Sequence, residues 1–207
     1  MLLLDIEESV QPIENKQVAR NNMIKYIQES LFKDRILFPR VSDRESGQLL
    51  KDVYQLSIDG ITGFMYPKAH KGEDIYFIGK LLETIEAEKG FPIGKFKIIP
   101  LIETTSAVMN IQDICSACPN RIVAVAFGCE DFVTDLGGKH DSEGQSIFSP
   151  RAMIAMGAKA CDVVPIDTVH LTVHDLEDLE KDLILSKRLG FEGLLVLIPQ
   201  ELPLVHQ

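Results

Sequence analysis

Apolar, β-branched runs alternate with helix-period segments from one end of this 207-residue chain to the other, and that alternation leaves few folds open. Short runs rich in Ile, Val, Leu and Phe, spaced by enough residues for a crossover helix, are how parallel strands of an α/β domain read. The runs lie at about residues 1–6, 36–41, 61–66, 97–103, 122–128, 163–170 and 193–198, which predicts seven strands. Helices are predicted between them. The clearest run from Asp74 to Lys89 and from Asp175 to Leu189, each closed by a glycine that can take the left-handed turn after a helix. The segment Ser106 to Cys118 also reads as one helix.

The polar residues choose between a doubly wound open sheet and a barrel. Asp5, Glu7, Glu8, Arg40, Lys68, Glu103, Asp131 and Asp167 fall at the C-terminal ends of different predicted strands. An open sheet concentrates its chemistry at one switch point, whereas a barrel gathers residues from many strand ends on one face. No glycine-rich dinucleotide fingerprint or phosphate loop supports the open sheet. The expected fold is therefore a TIM (β/α)8-type barrel, a single but incomplete domain over residues 1–207. Seven strands leave it one short, so it is expected to lack its first β/α unit and its C-terminal helix. Its open edges would then be covered by self-association or by a partner chain.

Two of the runs end in acid: Ile98-Ile-Pro-Leu-Ile-Glu103, and Ala124-Val-Ala-Phe-Gly-Cys-Glu-Asp131. Burying two carboxyls side by side is costly unless a cation or a proton compensates them. A divalent metal does this economically, and oxygen-only ligation suits Mg²⁺ or Mn²⁺ better than zinc. Taken singly, Glu103 and Asp131 also suit a helix N-cap and a salt-bridged loop acid, and Arg40 suits a surface pair with Asp43 or Glu45. Lys68 and Asp167 read as structural partners of the strand-end carboxylates.

A formal net charge of −10 argues against nucleic acid or an anionic membrane as partner, because either calls for a basic surface. No apolar stretch is long enough to span a bilayer and no leader is evident, so a cytoplasmic location is expected. The four cysteines, at 115, 118, 129 and 161, read as reduced structural thiols, Cys129 as filler beside Asp131. His70, His140, His170 and His174 are scattered over different loops and are given no ligand role. The polar loop from Gly137 to Gly144 suits either a mobile lid or an ordinary solvated loop.

Six pieces in order resemble the HpcH/HpaI aldolase and citrate lyase superfamily, its citrate lyase β-type members above all. They are Leu3-Leu-Asp-Ile-Glu-Glu-Ser-Val10, Phe38-Pro-Arg-Val41, Asp59-Gly-Ile61 with Tyr66-Pro-Lys68, Pro100-Leu-Ile-Glu-Thr104, Phe127-Gly-Cys-Glu-Asp131 with Asp135-Leu-Gly-Gly138, and Gly190-Phe-Glu-Gly193 with the segment from Ile198 to Val205. The resemblance implies a Mg²⁺-dependent carbon–carbon lyase that cleaves a citryl-, malyl- or similar 3-hydroxyacyl thioester to an oxo acid and an acyl thioester. Carried over, it makes Glu103 and Asp131 the metal ligands and Arg40 the group that binds the oxo-acid carboxylate. Gly128 and Glu130 would line the substrate site, with Asp5, Glu7 and Lys68 supporting it from behind and Glu8 as candidate base. Coenzyme A or an acyl carrier protein would carry the thioester, and other lyase subunits are implied as possible partners. Ser42, Ala69-His70 and Leu197-Ile198-Pro199 depart from the family pattern and thin out the substrate shell. Two other readings stand beside the first: a truncated, non-catalytic paralogue or subunit, and a free-acid aldolase, against which Glu8 counts because related aldolases place histidine there.

Overall fold

The computed structural model describes residues 1–141 and 144–206. Residues 142 and 143 of the polar loop from Gly137 to Gly144 lie outside the described residues. The strands are β1 (Leu2–Asp5), β2 (Leu37–Arg40), β3 (Gly63–Tyr66), β4 (Lys97–Ile102), β5 (Ala124–Phe127), β6 (Val164–Asp167) and β7 (Gly193–Leu194). Between and after them run α1 (Asn15–Gln28), α2 (Leu49–Leu56), α3 (Gly72–Lys89), α4 (Thr105–Met109), α5 (Ile111–Ser116), α6 (Cys129–Leu136), α7 (Gln145–Ala160), α8 (Leu176–Leu189) and α9 (Leu202–Val205). The strands pair in sequence order into one parallel sheet, with β1 and β7 at its outer edges.

Side-chain parity explains how the sheet curls. Successive strand residues point to opposite faces, so Phe64, Ile98, Ile102 and Val125 go outward against α3 and α7, where they join Ile75, Ile78, Leu82 and Ile154 in the larger core. The alternate positions, Phe38, Met65, Ile99, Leu101, Ala124, Ala126 and Ile166, meet on the inner face as a second apolar cluster. Residues from five neighbouring strands converge there because the sheet is concave. The same parity sends Asp5 and Arg40, in register across β1 and β2, to the inner side.

Buried charges fasten the helices to this frame. The Arg121 guanidinium donates to both oxygens of Glu86 in α3 at 2.8 Å, and Glu86 also accepts the N–H groups of Gly94 and Phe96 at the entry to β4. Arg20 of α1 meets Asp52 of α2 at 2.5 Å, with both side chains buried.

Several elements differ from the sequence expectation. The expected helix from Ser106 to Cys118 is two helices, because Asn110 leaves the helical path and its side-chain amide donates to the His70 carbonyl at 3.0 Å. The last strand pairs over two residues, not six, because Glu201 takes the Leu197 N–H at 3.2 Å and Pro199 opens a helical turn. The sixth stops at Asp167, whose carboxylate takes the Thr168 N–H at 2.9 Å and turns the chain off the sheet. Asp131 is not at a strand end; it lies in the first turn of α6.

Candidate active site

The C-terminal edge of the sheet collects the acidic residues. Glu103 follows β4 directly and is buried, 2% exposed. Its Oε1 accepts the Lys68 N–H at 2.6 Å, and Lys68 is held at φ +50° to present that group. Opposite lies Gly128, where a Cβ would come within 2.9 Å of the Glu103 Cβ and 3.0 Å of Oε2. Only glycine lets the two strand ends approach this closely. Burial, with help from the nearby Glu7 and Asp131 charges, pushes the Glu103 carboxyl up to about 8.

Arg40 is gripped from one side. Its Nε and Nη2 donate to the two oxygens of Asp5 at 2.8 and 2.6 Å, a bidentate clasp, while Nη1 lies 3.3 Å from Glu7. Burial works against the Asp5 charge, but the Arg40 bonds hold its carboxyl below the usual range. This pairing replaces the surface partners Asp43 and Glu45 that sequence alone offered for Arg40. Asp5 serves as the anchor of Arg40, because Oδ1 also accepts the Glu7 N–H at 3.0 Å.

Glu7 is 4% exposed, and neither of its oxygens has a hydrogen-bond partner. Burial outweighs the pull of Arg40 and Lys68, lifting its carboxyl to about 7. Glu8 is half-exposed and pairs with Lys68 at 3.2 Å. Lys68 thus partners strand-end acids as expected. Asp167 does not: it has outer parity and meets Arg151 of α7 at 2.5 Å, in a pair where both side chains are buried.

A cleft of about 170 Å³ is lined by Glu8, Arg40, Glu103, Gly128, Glu130 and Asp131, so the sequence-chosen residues do meet in one place. Asp5, Glu7 and Lys68 support it from β1 and the turn after β3. A larger cleft of about 370 Å³ opens beside it, near His170, Arg151 and Asp182. There His170 Nδ1 lies 2.8 Å from Asp182 and Arg151 is bound to Asp167, whereas the smaller cleft gathers Glu103, Asp131 and Arg40 from different elements and is the better site.

Sequence reasoning missed Lys16. This buried lysine of α1 donates to the carbonyls of Ile6 and Glu7 at 2.9 Å each and to the Ser42 hydroxyl at 2.8 Å. It pins the acidic turn after β1 to the turn after β2. Lys16, Arg20 and Met23 are the buried face of α1, and nothing in the local sequence marks that face as the buried one.

A curled parallel β/α sheet of seven strands, with its acidic cleft at the strand C-termini, defines a protein of TIM-like fold. Residues 1–199 match the HpcH/HpaI aldolase/citrate lyase family, and the chain belongs to it. The citrate lyase subunit beta of Haemophilus influenzae is 26% identical over 205 residues, spanning 99% of this chain and 70% of the relative. The L-malyl-CoA/beta-methylmalyl-CoA lyase of Rhodobacter capsulatus is 25% identical over 224 residues, with the same two coverages, 99% and 70%. Among solved structures, the citrate lyase beta subunit from M. tuberculosis complexed with oxaloacetate and magnesium superposes with a TM-score of 0.74 at 23% identity. That match covers 98% of this chain and 83% of the other. No helix among the described residues is long and apolar enough to cross a membrane.

Proposed function

We propose that this chain is a Mg²⁺-dependent carbon–carbon lyase that cleaves a citryl-, malyl- or related 3-hydroxyacyl thioester to an oxo acid and an acyl thioester. The observation that carries the reading is the surplus of acid in the cleft. Glu103 is buried beside Asp131, and Glu7 is buried with no hydrogen bond to either oxygen, only the ion-pair contacts of the two cations, Arg40 at 3.3 Å and Lys68 at 3.7 Å. A hard divalent ion fits an all-oxygen donor set of this kind. Glu103 and Asp131 would hold it, and when bound it would polarise a substrate carbonyl and stabilise the developing enolate.

The protein's own groups do the rest. Asp5 fixes one edge of the Arg40 guanidinium, which turns the Nη1 side toward Glu7 and makes it the fork for the oxo-acid carboxylate. Glu8, half-exposed at the cleft mouth and charge-paired with Lys68, is the candidate to take the substrate hydroxyl proton. Gly128 and Glu130 line the substrate side. The name of the malyl-CoA lyase among the relatives supports coenzyme A as thioester carrier. The outer edges of β1 and β7 favour a second reading, a subunit that acts only once a further strand covers those edges.

Calorimetry of Mg²⁺ binding, with and without oxaloacetate, tests the first reading. Saturable binding that oxaloacetate tightens and Glu103→Ala abolishes is expected, followed by thioester cleavage in a substrate screen. Folded wild-type protein that binds no Mg²⁺ would sink it in favour of the subunit reading.

A further inference from the structure

Next to the all-oxygen cleft lies a cluster of different chemistry. The Cys129 sulfur, a Glu130 carboxylate oxygen and a His140 ring nitrogen all lie within 4.8 Å of one another. We infer that Cys129, Glu130 and His140 form a second metal site, selective for a thiophilic divalent ion of the zinc class.

The backbone brings the three together. Cys129 and Glu130 open α6, with the Cys129 N–H fixed on the Thr168 hydroxyl at 3.3 Å. Gly137 ends the helix at φ +70°, and the residues after it return His140 to the first turn. There His140 Nε2 is sealed from solvent without a hydrogen-bond partner, 3.2 Å from Glu130 Oε1. A buried ring nitrogen set against a carboxylate oxygen and a thiol, with no donor to accept from, is an arrangement a metal completes.

The donor set decides which ion. Zinc takes sulfur at ~2.3 Å and nitrogen or oxygen at ~2.0–2.2 Å, so tetrahedral ligand atoms sit roughly 3.3–3.8 Å apart, a small closure from the observed cluster. Three protein ligands leave a fourth position open. Magnesium, which demands hard oxygen ligands, would be a poor occupant of a site containing a thiol. Binding would displace the Cys129 proton and tie the segment after α6 to its first turn. Sequence spacing gave these residues no shared role, because a helix and a reversing turn separate His140 from the other two.

Co²⁺ titration of the full chain is the test, with Zn²⁺ as competitor. A near-ultraviolet thiolate-to-cobalt charge-transfer band is expected in the wild type. Zn²⁺ should remove it and a large excess of Mg²⁺ should not. Cys129→Ser should abolish the band, and His140→Gln, a change at a half-buried side chain that spares the core, should weaken Co²⁺ binding at least about tenfold. Glu103→Gln, which removes a ligand of the oxygen site, should leave the band and the Co²⁺ affinity read from it unchanged. No band in folded wild type, a band that survives Cys129→Ser, or affinity unmoved by His140→Gln would overturn the proposal. Loss of the band in Glu103→Gln alone would also overturn it, by making the signal depend on the oxygen pair. None of these outcomes depends on lyase activity, so the site stands or falls apart from that reading.

Discussion

At Gly128 one hydrogen atom sets the width of the site. A methyl there would meet the Glu103 Cβ at 2.9 Å, closer than Cβ atoms approach, and Glu103 is held in turn by the Lys68 amide. Gly128→Ala is therefore expected to cost ~1–3 kcal/mol of stability and to push Glu103 off its position, weakening Mg²⁺ binding at least tenfold. Urea denaturation and calorimetry on the same protein would check both; normal values for each would mean that the strand ends can spread freely. Residues such as Glu103 and Arg40 were legible in the sequence because each sits at or beside the end of an apolar run, where strand parity puts it on the inner face. The same parity rule, applied to Asp167 one position after the inward Ile166, separates it from the cleft and hands it to Arg151. Lys16 was hidden for a different reason: its burial depends on acceptors at Ile6, Glu7 and Ser42, which no local pattern around residue 16 reports.

Helix ends hold the strand ends in place. Thr104 caps α4 by accepting the Ala107 N–H at 3.1 Å, and its hydroxyl also lies 3.3 Å from the Ala69 carbonyl. It thereby ties the turn that follows Glu103 to the turn that follows Lys68. Thr104→Ala is expected to cost about 1 kcal/mol, measured as a lower urea midpoint with an unchanged slope. On the far side of the sheet, Glu86 gathers Arg121 and the Gly94 and Phe96 amides around one carboxylate. Removing it strands a buried guanidinium, so Glu86→Ala should cost ~3–5 kcal/mol in equilibrium denaturation, and a loss below 1 kcal/mol would contradict the pairing. Long periodic elements were readable to within a few residues: α3 and α8 end at the expected glycines. The break at Asn110 was not, because it is set by a bond to the distant His70 carbonyl.

Across the molecule, folding draws carboxyls from three segments, Asp5 to Glu8, Glu103, and Glu130 with Asp131, into a space with fewer cations, and stability must register this as pH changes. In the unfolded chain Glu7 and Glu103 titrate near 4.5; in the folded protein burial raises them to about 7 and about 8. Between those limits the folded state binds protons that the unfolded state has lost. The contribution of both groups is therefore fully present below pH 4.5 and is lost as pH rises through 7 to 8. Without divalent metal, the urea-derived stability of the wild type should fall from pH 6 to pH 8.5. In the Glu7→Gln, Glu103→Gln double variant, whose amides cannot ionise, that fall should be smaller by on the order of 4 kcal/mol. Mg²⁺ acts in the opposite sense, since it binds the ionised carboxylates, so saturating Mg²⁺ should flatten the wild-type profile and leave the variant unchanged. Equal slopes in the two proteins would mean that the cleft already ionises at low pH, which would remove the physical reason for placing a metal there.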